Sequence, residues 1–151
     1  DLRRDHVTGV YNAVYLNEEF RPRAERAAMD GQPVGVVMLR VNEYWQLREH
    51  ESSTAADCCL NLAAGILQLA VGPDHEKVAL ARLNDGFFAV VTLGTPAAKM
   101  AKVVREAMND SRREFNISLS RRGSFTVAIA SAEWGETASW DMMLSLAQQR
   151  L

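Results

Sequence analysis

The apolar residues of the chain fall into runs that have either helical or strand spacing. This spacing predicts helices over Val14–Met29, Glu43–Glu51, Ala55–Val71, Thr95–Phe115 and Ser139–Leu151. Pro22 lies inside the first helical pattern and predicts a kink near Phe20–Arg21. Apolar Val14 and Met142 are each expected on the apolar face of their helix. Five helices are therefore expected, and the first is interrupted.

Two other patterns predict strands. Val34–Val41 is an almost unbroken apolar run, as expected of a central strand with both faces covered. Phe125–Ala132 follows the alternating pattern of a strand and is rich in residues that favour β-structure. Between them, Lys77–Val91 holds two β-prone runs on either side of Asn84-Asp85-Gly86. An Asp-Gly pair between such runs is a strong hairpin signal.

Interleaved helices and strands give an α/β domain with a mixed sheet, because the hairpin must be antiparallel while helix-linked strands can pair in parallel. At 151 residues the chain is predicted to be a single domain. Its first residues suggest a piece excised from a longer multidomain protein.

Composition narrows the choice of partner and compartment. The net charge of −2 provides no basic field, so nucleic acid is not expected as a partner. No apolar run is expected to approach the roughly 20 residues of a membrane span. Adjacent Cys58 and Cys59 rarely permit a mutual disulfide, and they favour a reducing compartment. We therefore predict a cytoplasmic location, which includes the cytoplasmic part of a membrane-anchored protein.

Several sequence motifs resemble those of the GGDEF family, the diguanylate cyclases. Asp5–Asn12 is similar to the family's opening D-x-L-T-G-L-x-N, and Ala56–Leu60 matches G-D-x-x-L except at the glycine. The hairpin frame is kept, but Asn84-Asp85-Gly86-Phe87-Phe88 stands where the family has Gly-Gly-Asp-Glu-Phe. The resemblance implies a ferredoxin-like palm with extra helices. The family's C-terminal end, with its later Lys/Arg phosphate contacts, has no counterpart in this chain.

The resemblance also implies a reaction, which joins two GTP molecules into cyclic di-GMP with the help of divalent metal ions. The family's metal carboxylates fall on Arg40 and Phe87, its further turn acid on Gly86, and its two glycines on Asn84 and Asp85. An arginine cannot ligate a cation. We therefore predict no catalytic residue, metal or cofactor. Arg40 is expected in the former metal position, in contact with Phe87, Asp85 or Glu43.

Part of a guanine site is implied as well. The family's base-binding aspartate and asparagine correspond to Asp57 and Arg48, and Tyr44, Trp45 and Leu60 complete the candidate nucleotide site. Asp57 has a simpler interpretation, as a helix cap or an exposed residue. The family's feedback motif, R-x-x-D, would fall on His75 and Val78 and is absent.

The remaining signals are interpreted as structural. Three scattered histidines show no zinc-ligand spacing. The basic clusters Arg112-Arg113 and Arg121-Arg122 are interpreted as solvated loop ends, with an anion or acidic-partner patch as the alternative. Trp45, Trp134 and Trp140 are interpreted as packing residues, with a binding cage as the alternative.

Three functional hypotheses follow. The first is a degenerate GGDEF domain that regulates or contacts other domains of its own polypeptide or a signalling partner. The second is a non-catalytic GTP sensor with weak binding. The third is an active cyclase with altered metal ligation. The oligomeric state, a homodimer included, is left open.

Overall fold

The structure, a computed structural model, describes residues 1–118 and 126–151, and the side chains of residues 1–111 and 126–151. The expected contribution of Phe125 to a strand and the interpretation of the two arginine clusters fall on residues or side chains outside this description.

The helices and strands follow the predicted order, except that a short strand that was not predicted precedes the first helix. The helices are α1 (Ala13–Tyr15), α2 (Arg21–Met29), α3 (Tyr44–His50), α4 (Ser53–Val71), α5 (Ala97–Ser118) and α6 (Trp140–Gln149). The strands are β1 (Tyr11–Asn12), β2 (Val34–Val41), β3 (Val78–Asn84), β4 (Phe87–Leu93) and β5 (Val127–Glu133). A π-helical turn, Leu16–Phe20, joins α1 to α2, and a 3₁₀ turn, Trp134–Glu136, precedes α6.

The five strands form one mixed sheet in the order β1-β3-β4-β2-β5. β2 lies between β4 and β5 and pairs antiparallel with both. The only parallel pairing among the described strands joins β1 to β3, at Tyr11 opposite Ala81. β2 is covered on both faces, which confirms the prediction that Val34–Val41 forms a central strand.

The sheet separates two apolar cores. One core contains Val37, Leu39 and Val41 of β2 and is covered by α3, α4 and α5. The other contains Val34, Val36 and Met38 and is covered by α2 and α6. Alternate residues of one strand therefore enter opposite cores, as the two-residue period of a strand requires.

The first helix is interrupted at the position that Pro22 predicts. The amide of Arg21 donates to the carbonyl of Leu16, one residue further back than in an α-helix. Proline lacks an amide hydrogen, so a widened turn just before Pro22 accommodates the missing hydrogen bond. The helix continues through this turn into α2.

Two expectations about apolar residues on helices are wrong. Val14 and Met142 are about half exposed, at 48% and 55%. Met143, the neighbour of Met142, enters the core in its place. The helix starts are as expected, since Ser52 and Ser139 each accept a hydrogen bond from an amide of the first turn.

The tryptophans differ in burial. Trp140 is fully buried, and its Nε1 donates to Oδ1 of Asn17 at 2.9 Å. Trp134 packs partly buried against the same core. Trp45 is 50% exposed and packs edge-on against the ring of Tyr44, with the two ring centroids 5.4 Å apart, so its packing is at the surface.

Helix α4 corrects the expectation that no run approaches membrane-spanning length. It has 19 residues with a mean hydropathy of 1.5, and by length and composition alone it could cross a membrane. Core helices meet the same criterion. Seven residues of α4 are buried in the domain, Cys59 and Leu60 among them.

Candidate functional site

The hairpin turn between β3 and β4 is the centre of the candidate site. Asn84 pairs with Phe87, and a bulge precedes this pair after Arg82. Asp85 has a positive φ of 45°, whereas Gly86 does not adopt a positive φ. The Nε of Arg82 donates to the carbonyl of Asp85 at 2.9 Å and holds the turn in place.

Gly86 is needed for close packing rather than for its backbone angle. Its carbonyl accepts a hydrogen bond from the amide of Val41 at 2.9 Å. A Cβ added at Gly86 would lie 2.9 Å from Cβ of Tyr44 and 3.0 Å from the carbonyl oxygen of Val41. The turn therefore lies directly against the start of α3. A side chain at this third turn position, where the family has an acid, would require these neighbours to move.

Arg40 and Phe87 lie opposite each other on neighbouring strands, as the resemblance implies. Ala128 of β5 lies opposite Arg40 on the other side. Strand alternation places Arg40 and Phe87 on the face of the sheet that carries Met38. The two positions expected to hold metal carboxylates are therefore in register, and a cation and an aromatic ring occupy them.

The hydrogen-bond partner of Arg40 is a residue that was not predicted from the sequence. Arg40 donates from Nε to Oδ1 of Asn42 at 3.0 Å. Within the described residues it forms no ion pair with Asp85 or Glu43 and does not stack on Phe87.

Glu43 has a different partner. Its carboxylate accepts two 2.6 Å hydrogen bonds, from the amide and the hydroxyl of Thr126. Asn42 donates from Nδ2 to the same hydroxyl at 3.0 Å. The end of β2 is therefore tied to the start of β5, and the carboxylate of Glu43 is not available to Arg40.

A cavity of about 320 Å³ lies beside the turn and unites three of the predicted nucleotide residues: Tyr44, Arg48 and Asp57. Nη1 of Arg48 donates to the Tyr44 hydroxyl at 2.8 Å, and this bond raises the pKa of Arg48. The guanidinium also lies 5.7 Å from the ring centroid of Trp45. Arg48 is thus held at the cavity edge by an aromatic pair.

Asp57 and Leu60 differ in their access to this cavity. Asp57 lies within α4, whose cap is Ser52, so the capping interpretation of Asp57 is wrong. It is partly buried and lines the cavity. Leu60 is fully buried in the core and does not line it, and neither does Trp45.

Sequence reasoning missed an ion pair next to the turn. Nη1 of Arg82 lies 3.1 Å from Oδ1 of Asp5, and both side chains are nearly buried, at 12% and 11% exposure. The other oxygen of Asp5 accepts from the amide and the hydroxyl of Thr8. The sequence identifies the motif Asp5–Asn12. It does not indicate that Asp5 of this motif pairs with Arg82, which in turn holds the hairpin turn.

No group of three or more His, Cys, Asp or Glu side chains that could hold a metal ion occurs in residues 1–111 and 126–151. The acidic side chains next to the turn each lie in a different setting. Asp5 is paired with Arg82, Glu43 is bonded to Thr126, and Asp57 lines the cavity.

The fold and the hairpin site define the class of this protein as a ferredoxin-like α/β palm domain with the candidate site at a β-hairpin turn. The family model described as "Diguanylate cyclase, GGDEF domain" matches residues 2–151. The chain therefore belongs to the GGDEF family, which confirms the resemblance found in the sequence.

Solved structures with the same fold come from other members of this family. The FimX GGDEF domain of Pseudomonas aeruginosa is 22% identical, with a TM-score of 0.79 over 97% of this chain and 90% of that one. The DgcB GGDEF domain of Caulobacter crescentus, solved with c-di-GMP, is 18% identical, with a TM-score of 0.80 over 99% and 87%. Diguanylate cyclase SiaD of P. aeruginosa, solved with its activator SiaC, is 20% identical, with a TM-score of 0.79 over 97% and 55%.

Proposed function

We propose that this domain is a catalytically inactive GGDEF domain that serves as a regulatory or interaction module in cyclic di-GMP signalling. The observation that carries the proposal is the pairing of Arg40 with Phe87 at the two positions where the family holds its metal ions. A guanidinium repels a divalent cation, and a phenyl ring offers it no ligand oxygen.

The close packing of the turn supports the same proposal. Restoring an acid at Gly86 would require Tyr44 and the carbonyl of Val41 to move, because they already lie at contact distance from the missing Cβ. A single substitution therefore does not rebuild the acidic turn. Loss of the chemistry with retention of the fold suits a domain that acts through contact with other proteins or domains.

The proposed partners are other domains of the same polypeptide or a separate signalling protein, in the cytoplasm. SiaD, which shares this fold, was solved in complex with an activator protein, SiaC. That precedent supports protein contact as a way for a GGDEF-containing chain to be regulated. A homodimer is a further candidate.

The test is a turnover assay with GTP and either magnesium or manganese. We expect no cyclic di-GMP above buffer background. Variants Asp57→Ala and Asp85→Ala serve as controls, because they remove the acids nearest to the turn that could ligate a metal in an unexpected way. Synthesis that disappears in either variant would refute the proposal and favour an active cyclase with altered metal ligation.

The second candidate function is that of a non-catalytic guanine-nucleotide sensor, and the cavity beside the turn supports it. Asp57 can accept hydrogen bonds from a guanine edge, and the free donors of Arg48 can reach acceptors on the same base. Without metal carboxylates the triphosphate has no clamp, so GTP should bind weakly and independently of magnesium.

Calorimetric titration with GTP, with and without magnesium, separates the two candidates. Weak binding that is lost in Asp57→Ala supports the sensor, and Asp74→Ala, outside the cavity, is the matched control. Absence of heat supports the interaction module alone. Tight, magnesium-dependent binding contradicts both.

A further inference from the structure

A second cavity, of about 170 Å³, lies beside the edge strand β1, near the end of β3 that is away from the hairpin turn. Its apolar walls are Val10, Val71, Val78 and Leu80. The first and last of these belong to the buried core, so the cavity reaches into the interior between β3 and the end of α4. An apolar cavity of about 150 Å³ is large enough for one benzene ring.

The rim of this cavity is polar and carries a positive charge. Arg4, Gln68 and His75 line it together with the ring of Tyr11. Arg4 forms no ion pair within the described residues, and the one hydrogen bond that its side chain donates there is a long contact, 3.3 Å, to the carbonyl of Gly9. Its positive charge is therefore not neutralised by a carboxylate.

An aromatic stack holds the charge of Arg4 in place. Its guanidinium lies 4.0 Å above the ring centroid of Tyr11, and Tyr15 stacks on that ring at 3.5 Å. His75 meets the edge of the same ring at 6.5 Å. Arg4 is exposed, and its contact with the ring favours one position of the guanidinium, which lowers the cost of ordering it when a ligand binds.

The end of α4 keeps the entrance open. Gly72 lines the cavity, has a positive φ of 76°, and has no atom within 4 Å of its missing Cβ. The chain turns there without placing a side chain over the entrance.

We propose that this cavity binds a small aromatic carboxylate, with its ring between the apolar walls and its carboxylate on the guanidinium of Arg4. A neutral aromatic ligand would not pair with the charge of Arg4, and a small anion without a ring would leave the apolar walls exposed to water. His75 and Val78 stand at the positions of the family's feedback motif, but they supply neither its arginine nor its aspartate. The ligand class therefore follows from the cavity itself. The proposal is independent of the proposed function at the hairpin turn.

The first test compares phenylacetate with its neutral counterpart phenylacetamide, by calorimetry and by amide chemical shifts in NMR. We expect phenylacetate to bind saturably at millimolar concentration and phenylacetamide about tenfold more weakly, a difference of about 1.4 kcal/mol, because the amide lacks the charge that strengthens a hydrogen bond to Arg4. The shifts should centre on Tyr11, Gly72 and His75. Equal affinity of the two probes, shifts centred elsewhere, or no saturable binding would overturn the proposal.

Matched variants test the two halves of the cavity. Val78→Phe fills the apolar part and should abolish binding, whereas Val103→Phe makes the same change at an exposed site outside the cavity and should not. Arg4→Gln should weaken phenylacetate about tenfold, whereas Arg26→Gln, which does not line the cavity, should leave the affinity unchanged. Full binding by Val78→Phe or by Arg4→Gln would overturn the proposal.

Discussion

The closeness of the hairpin turn to α3 predicts the effect of adding one methyl group at Gly86. An alanine Cβ there would lie 2.9 Å from Cβ of Tyr44 and 3.0 Å from the carbonyl oxygen of Val41. Neither atom is the flexible end of a side chain, so the backbone must move. Overpacking of this kind costs about 1–3 kcal/mol. We expect Gly86→Ala to lower the free energy of unfolding by about 2 kcal/mol.

Two other glycines provide controls with different expected results. Gly65 lies within α4 and has open space at its Cβ position, so Gly65→Ala should stabilise the protein by about 0.5–1 kcal/mol. Gly35 in β2 faces Ala97, whose Cβ would lie at 2.6 Å and whose backbone would lie at 2.9 Å. Gly35→Ala should therefore cost more than Gly86→Ala.

Urea unfolding of the four proteins measures this order directly. For a domain of this size, each kcal/mol corresponds to a shift of about 2–4 °C in the melting temperature. A Gly86→Ala variant as stable as the wild type would show that the turn does not lie against α3. A Gly65→Ala variant that is also destabilised would show that the effect is not specific to close packing.

Three further predictions concern charges and metals. Asp5→Asn breaks the nearly buried pair with Arg82 and should cost about 3 kcal/mol in urea unfolding; Glu19→Gln, in a more exposed pair, should cost less than about 1 kcal/mol. The hydrogen bond from Arg150 lowers the pKa of Glu136, so this carboxylate stabilises the fold above its ordinary pKa of 4.5 and loses that effect as the pH falls through its folded value. The stability difference between the wild type and Glu136→Gln should therefore shrink below pH 4.5, and a constant difference would contradict the assignment. Melting should not respond to chelator or to added magnesium or manganese, since a metal that binds the native state must raise the melting temperature.

The fold could be predicted because its main signals are local. The almost unbroken apolar run Val34–Val41 requires cover on both faces, and Asp85-Gly86 between β-prone runs marks the hairpin. Ser52 and Ser139 mark helix starts by their own hydrogen-bonding chemistry. Each of these features is determined within a few residues of the chain.

The partners within the site could not be predicted in the same way. Arg40 donates to Asn42, and Glu43 accepts from Thr126, which is 83 residues away. The approach of Gly86 to Tyr44 likewise joins a turn to a helix that is distant in sequence. Such choices depend on the packing of several elements, and no spacing rule in the sequence contains them.

The π-helical turn Leu16–Phe20 sets the angular phase between the two halves of one helix. One surplus residue changes the rotation between Tyr15 and the start of α2 by about 100° relative to a regular helix. With that offset, Tyr15 points to the same core as Ala24 and Ala27, which are all buried. Deleting one residue from the turn would make the helix more regular but the domain less stable. One of the two helical halves would then present its polar side to the sheet. The irregularity is therefore a phase adjustment, and the length of this segment is as constrained as its composition.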